Sequence, residues 1–347
     1  MLRLPPIKLE SPATIEAAAE ALAGGDTRLV AGGTDLWPNM KRRHQTAETV
    51  VSLMSIPDLD TIDSGRPDIR IGATATLTDV IRDDRVRERF PAFATAVASI
   101  SSPPLRNMGT IGGNLCLDTR CTYYNQTEEW RRSIDYCLKE RGDICWVATS
   151  SPKCWAHTAS DSAPILCALD AHVLLVSASG TRELPLKDFY VNDGIDYLAK
   201  RADEILTEVV IPETSDDRHC RSAFWKLRRR GSIDFSTLSV AAVVWTDDGD
   251  IVTRAAMYLG AVGSAPMPVA AISSVLVGNR MTEDGIAEIA RAAHKIARPM
   301  DNTDFTASWR GKMTEQYAAA ALREVAGLPV QRMQPRHGLT EFHASRR

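Results

Sequence analysis

Ile15, Ala18 and Leu22 recur three and four positions apart in "SPATIEAAAEALAGG", with Ser or Thr to start the run and Gly24-Gly25 to stop it. That pattern predicts an amphipathic helix. "RLVAGG" is a short apolar run ending in glycine, which predicts a strand entering a tight turn. "TVVSLMSI" and "IRIGATAT" read as further strands, "TLTDVIRD" and "FPAFATAVASI" as helices, so the first domain is expected to be mixed α/β or α+β. "APILCALDAHVLLVSASG", "ILTEVVIP" and "STLSVAAVVW" carry strand-like patterns, and the polar run "PETSDDRHCR" at 212–221 suggests a break. Beyond it, "SVAAVVWTDDGDIVTRAAMYLGAV" predicts an antiparallel hairpin turning at "DDGD". Two helices follow, "TEDGIAEIARAAHKIA" and "SWRGKMTEQYAAAALREVAG", giving a small α+β second domain. From Leu328 the periodicity stops, as expected of an extension or a partner-binding arm. Residues 116–155 also lack apolar periodicity, and a long excursion of this kind inside a compact domain is usually functional.

The chain of 347 residues is long enough for two or three domains and needs neither disulfide nor metal to build a core. It is 44% hydrophobic and 24% charged with a net charge of −3, which gives no electrostatic reason to expect nucleic acid or an anionic membrane. The most basic run, "WKLRRRG" at 225–231, reads as a solvated strand end. The opening "MLRLPPIKLESP" has prolines where a secretory signal needs an apolar core. "APILCALDAHVLLVSA" is interrupted by Asp170 and His172 and falls short of the roughly 20 apolar residues of a membrane span. A cytoplasmic protein is expected, and in that compartment clustered thiols point to metal or redox chemistry rather than disulfides.

Five of the seven cysteines fall between Cys116 and Cys154. With Cys116 set aside, Cys121, Cys137, Cys145 and Cys154 are separated by 15, 7 and 8 residues. Four thiolates can bind zinc or hold an iron–sulfur cluster. No two of these four are as close as the C-x2–4-C pairs of zinc ribbons, while a cubane cluster accepts ligands from a wide loop. Unrelated free thiols are the plain alternative, although the spacing is not that of buried core positions. Trp130, Trp146 and Trp155 flank the loop, either sealing it from water or packing it. Two glycine turns also stand out, "LVAGGTDLW" at 29–37 and "MGTIGGNL" at 108–115. Glycines let a backbone approach a ligand and direct N–H groups at an anion. Neither turn fits G-x-G-x-x-G or G-x-x-x-x-G-K-[ST], and H-E-x-x-H and G-x-S-x-G are both missing. His157 and His172 read as ordinary core or surface residues.

These turns, their order and "SPPLRNMGTIGGNL" together resemble the flavin-binding subunit of molybdenum hydroxylases, the xanthine dehydrogenase and CO dehydrogenase group. The resemblance spans residues 4–327 and includes "SDSAPILCALDA", "EILTEVVIP", "FWKLRRRGSIDFSTLSVAAVV" and "LGAVGSAPMPV". It implies an α+β fold: an α/β-like FAD-binding domain of two subdomains at 1–215, a small α+β domain at 220–328 and a tail at 329–347. It assigns FAD to Val30, Ala31, Gly32, Gly33, Thr34, Asp35, Leu36 and Trp37, to Thr110, Ile111, Gly112, Gly113 and Asn114, and to Asp161, Leu206 and Lys226. Lys226 is expected near the pyrimidine end of the isoalloxazine, where a cation favours the reduced, anionic flavin. The thiol excursion at 116–155 is similar to the insertion in the β subunit of 4-hydroxybenzoyl-CoA reductase. That likeness implies a [4Fe-4S] cluster on Cys121, Cys137, Cys145 and Cys154, with Cys116 a neighbour and not a ligand. Implied partners are a large molybdopterin subunit, a small subunit with two [2Fe-2S] clusters, as a dimer of heterotrimers, and a ferredoxin. No substrate-contacting catalytic residue is expected on this chain. The expected flow is reductive dehydroxylation of an aromatic CoA thioester. The alternatives are an oxidative hydroxylase of the same architecture and a zinc-stabilised binding protein without redox activity.

Overall fold

The computed structural model describes residues 2–63, 67–213 and 219–330. The run at 214–218 and the tail from 331, where a domain break and a partner arm were expected, lie outside the described residues. Three sheets organise the described residues. The first is parallel, with β3 (Thr49–Ser52) between β1 (Lys8–Glu10) and β2 (Thr27–Val30). The predicted first helix, Ile15–Leu22, starts on the Thr14 hydroxyl and buries Ala18, Ala19 and Leu22, as its 3–4 spacing requires.

The second sheet is antiparallel in the order β4-β5-β8-β6-β7. Its strands are β4 (Ile62–Asp63), β5 (Ile69–Gly72), β6 (His172–Ser177), β7 (Gly180–Pro185) and β8 (Ile205–Ile211). Helices Leu77–Arg82 and Pro91–Ala98 form where the sequence predicts them, the first capped by Thr76. The run "APILCALDAHVLLVSASG" divides differently from the strand expected. Its first half is the helix Ser162–Ala168, every residue of which is buried, and only the second half is β6. A helix buried all round shows no polar face, so its apolar run cannot be told from a buried strand.

The third sheet, β12-β11-β10-β9, is antiparallel and consists of β9 (Cys220–Leu227), β10 (Leu238–Thr246), β11 (Val252–Gly260) and β12 (Met267–Pro268). All nine residues of β10 are buried. Ala241, Val243 and Trp245 face the core of the second sheet. Val240, Ala242 and Val244 face the core beneath helices Glu283–Ile296 and Ala307–Val325. One strand thus serves two cores through its period of two. The expected α+β fold, with an α/β-like first part, is what forms. No helix among the described residues is long and apolar enough to cross a membrane.

Arg310, on the last helix, fastens the third unit. Fully buried, it donates to the carbonyls of Thr237 (2.8 Å), Met300 (2.8 Å) and Ala261. Burial pulls its pKa down to about 10. Arg310→Met takes this donor from the Thr237 and Ala261 carbonyls, at about 1–3 kcal/mol each, while Met300 O keeps the Asn302 N–H. Urea unfolding is expected to show a loss of about 3 kcal/mol or more; a loss under about 1 kcal/mol would contradict this anchoring.

Candidate functional site

The two glycine turns, with 70 residues of chain between them, meet. A Cβ on Gly32 would lie 1.6 Å from the carbonyl oxygen of Met108, and one on Gly109 would lie 3.3 Å from the Thr34 hydroxyl. Gly33 adopts a φ of +71°, a left-handed turn that a side chain resists. Leaving β2, the first turn runs into the helix Leu36–Lys41, and Trp37 closes over Gly33. The N–H groups of Gly32, Gly33, Thr34 and Asp35 find no acceptor among the described residues. A half-exposed row of free amides fits the oxygens of an anion such as a pyrophosphate.

The second turn contributes differently. Its amides at Ile111, Gly112 and Gly113 are bonded to Ala75 O (3.0 Å), Ala73 O (2.9 Å) and Thr110 Oγ1 (3.1 Å). Of the two turns, the first is thus the one that leaves a row of amides unengaged among the described residues. What the second turn supplies is close packing and a side chain. Gly112 lies against Ala73, where a Cβ would come within 2.7 Å. Asn114 Oδ1 accepts from Ser160 (2.9 Å) and Ser162 (2.7 Å), leaving its amide nitrogen without a partner among the described residues.

Asp161 and Lys226, assigned separately from sequence, form one ion pair of 2.6 Å with side chains only 3% and 5% exposed. Asp161 precedes helix Ser162–Ala168 and also accepts from the Ser236 hydroxyl. Burial pulls the Lys226 ammonium below the usual lysine range, against the pull of Asp161. Lys226 and Arg228 both donate to the Ser99 carbonyl, at 3.1 and 3.3 Å, where the helix Pro91–Ala98 ends and its dipole is negative. Arg228 is thus buried, not part of a solvated strand end, while Arg229 and Arg230 are exposed. Leu206 lies buried on β8 opposite Leu175, where the β6–β8 register shifts past Thr207.

All four loop thiols line one pocket, with Tyr124, Leu138, Lys139, Trp146, Val147 and Ala156. Cys121, Cys137, Cys145 and Cys154 are 5–7% exposed, and all are free. Turns present them: Glu140 and Gly142 donate to the Cys137 carbonyl, and Gly194 to that of Cys154. A Cβ on Gly194 would stand 2.6 Å from Cys154 Sγ. Burial pushes the Cys121 thiol up to about 12 and Cys154 to about 11, and also raises Cys137. A metal must therefore displace their protons to bind. Among the described residues no three His, Cys, Asp or Glu side chains converge as a single metal ion requires. Half-buried Cys116 is not in the pocket and packs instead on the core of the second sheet. Of the tryptophans, Trp146 lines the pocket, while Trp130 does not.

The excursion is strapped to its surroundings. Fully buried Arg131 pairs with Glu128 (2.6 Å) and Glu140 (2.7 Å) and donates to the carbonyls of Arg42 and Arg43. On the other side Thr122 donates to Asn302 O (2.8 Å), and Asn302 Nδ2 to Trp155 O (2.6 Å). His157, a buried core residue, pairs backbone to backbone with Arg120. His172 is partly exposed and bound to Glu183.

Arg120 joins the two sites and was not foreseen. Its guanidinium is 2.7 Å from Asp35 in the first turn and stacks 3.8 Å over the Phe235 ring, and Cys121 is the next residue. Burial lowers its pKa and raises that of Asp35, each opposed by the other's charge. An arginine in a loop carries no sequence signal for such a contact; its place directly before the first thiol of the cluster is the only hint.

Residues 5–214 match the family described as the FAD binding domain in molybdopterin dehydrogenase, and 222–325 the CO dehydrogenase flavoprotein C-terminal domain. The chain belongs to the FAD-binding subunits of the molybdenum hydroxylases. It is 31% identical over 255 residues to the nicotinate dehydrogenase FAD-subunit of Eubacterium barkeri, 73% of each chain. It is 25% identical to the carbon monoxide dehydrogenase medium chain of Hydrogenophaga pseudoflava, over 92% of this chain and 96% of the other. The solved structure of carbon monoxide dehydrogenase from Hydrogenophaga pseudoflava has the same fold, with a TM-score of 0.78 over 94% of this chain and 99% of that one at 24% identity. The matched family is one of FAD-binding subunits of oxidoreductases.

Lys226→Met strands a buried carboxylate at Asp161 and is expected to cost about 3–5 kcal/mol in chemical unfolding. The double variant Asp161→Asn/Lys226→Met removes both charges and is expected to recover most of that loss. Equal destabilisation in both would show that the pair does not join the domains.

Proposed function

We propose that this chain is an electron-transfer subunit carrying FAD and a [4Fe-4S] cluster within a molybdenum-containing oxidoreductase. The observation that carries the reading is the thiol pocket: four cysteines from a 34-residue stretch reach one cavity, beginning one residue from the side chain that holds the flavin turn. When bound, FAD exchanges electron pairs and the cluster single electrons, so together they can connect a two-electron centre to a one-electron carrier.

In this reading Gly32, Gly33, Thr34 and Asp35 hold the FAD pyrophosphate through their amides, flanked by Val30, Ala31, Leu36 and Trp37. Thr110–Asn114, Asp161, Leu206 and Lys226 complete the flavin site. Cys121, Cys137, Cys145 and Cys154 are the cluster ligands. The four thiols line one pocket yet lack the close C-x2–4-C pairs of zinc sites, which supports a multi-iron centre over zinc. Substrate chemistry belongs to a large molybdopterin subunit, with a small 2x[2Fe-2S] subunit between, and the term "medium chain" in relatives supports that arrangement.

The likeness of the thiol excursion to that of 4-hydroxybenzoyl-CoA reductase supports reductive flow from a ferredoxin. Relatives named nicotinate dehydrogenase and carbon monoxide dehydrogenase favour a second reading, in which the same subunit runs oxidatively.

The purified full-length chain, reconstituted anaerobically, is expected to hold about four iron and four sulfide per chain beside one flavin. Cys121→Ser or Cys137→Ser should abolish the broad thiolate–iron absorption and spare the flavin bands. A colourless zinc protein would sink the reading. Flavin lost in parallel with iron would make the loop a structural part of the flavin site, not a second redox centre.

A further inference from the structure

Between the flavin turn and the thiol pocket, charged side chains alternate in sign: Asp35, Arg120, Asp118, Lys139. Asp35 and Arg120 are 2.7 Å apart, Asp118 and Lys139 2.8 Å, and the charge of Asp118 also acts on Arg120. The last member stands at the pocket wall. Lys139 lines the cavity with the four cysteines, and its side chain is only 6% exposed.

All three ammonium protons are engaged. Nζ donates to Asp118 Oδ1 (2.8 Å), Thr119 Oγ1 (2.8 Å) and Gly194 O (2.6 Å). The rings of Tyr124 and Tyr197 lie 5.0 and 5.4 Å away. Gly194, which accepts one of the three bonds, is also the residue that closes on Cys154 Sγ. The lysine head group is therefore fixed in place at the wall of the thiol pocket.

A stabilising role alone explains this poorly. A buried ion pair contributes little net stability, because desolvation offsets the attraction. The other carboxylate oxygen of Asp118 already accepts from Gln45 (3.2 Å), and a neutral donor would satisfy Thr119 and Gly194. What a neutral donor cannot supply is charge. Four thiolates around an iron–sulfur core leave a net negative site, reduction adds a further negative charge, and net charge and hydrogen bonding set the potential of such clusters.

Resting on the cluster reading above, we propose that Lys139 is the positioning residue that sets the reduction potential of the centre held by the four cysteines, with Asp118 moderating its charge. The fixed cation favours the reduced form, and Asp118 keeps that preference in check.

The test is a dye-mediated redox titration of the full-length reconstituted chain, followed by electron paramagnetic resonance, with the flavin couple read in the same titration. Lys139→Met is expected to lower the reduction equilibrium constant of the cluster at least tenfold, about 59 mV for a one-electron couple. Lys139→Arg keeps the charge and should stay near wild type, while Asp118→Asn should shift the constant the opposite way. In each variant the flavin couple should move far less. Lys139→Met with full iron and an unchanged potential overturns the proposal. So does loss of iron in Lys139→Met combined with no shift in Asp118→Asn, since that marks a purely structural lysine. A wild-type chain that binds no iron instead overturns the cluster reading itself, and this proposal with it.

Discussion

The contact between Gly32 and the Met108 carbonyl is the constraint on which the rest of the site depends. With a Cβ position only 1.6 Å from a backbone oxygen, no side chain fits unless the two turns separate. The turn after β2 and the loop before Thr110 thus become one floor, from which the first turn directs its unpaired amides outward. The division of labour follows. One turn gives the amides, and the other, whose amides are engaged with Ala73 and Ala75, gives rigidity.

Much of this architecture is legible in sequence because local signals agree with the tertiary outcome. Thr14, Thr282 and Thr306 cap helices where the patterns begin, and Asp250, with φ +60°, turns the predicted hairpin at "DDGD". Legibility fails where burial removes the pattern, as in the helix Ser162–Ala168, whose every side is covered. The site shows the same limit. Glycine turns and clustered cysteines announce themselves by composition. That Asp161 and Lys226 are partners, that Arg228 is buried, and that Arg120 reaches Asp35 all depend on which surfaces meet across 65 or more residues of chain.

Charge does an unusual share of the joining. Arg131 fastens the thiol excursion to the first subdomain, Asp161–Lys226 joins the second sheet to the third, and Arg310 gathers three loops of the last unit. Such contacts demand correct geometry, since a misplaced partner leaves an uncompensated buried charge. They therefore specify how the units dock more strictly than the apolar cores do, which tolerate small shifts.

The near-complete enclosure of the four thiols has a consequence for assembly. The excursion is held on one side by Arg42 and Arg43 and on the other by Asn302, residues 259 or more positions apart in the sequence. The thiols are thus clamped between segments from both ends of the chain, and each is left only 5–7% exposed. Their enclosure is complete only when the last unit docks, with Asn302 on the Trp155 carbonyl. The pocket is therefore a product of long-range assembly, although all four of its thiols come from one local stretch.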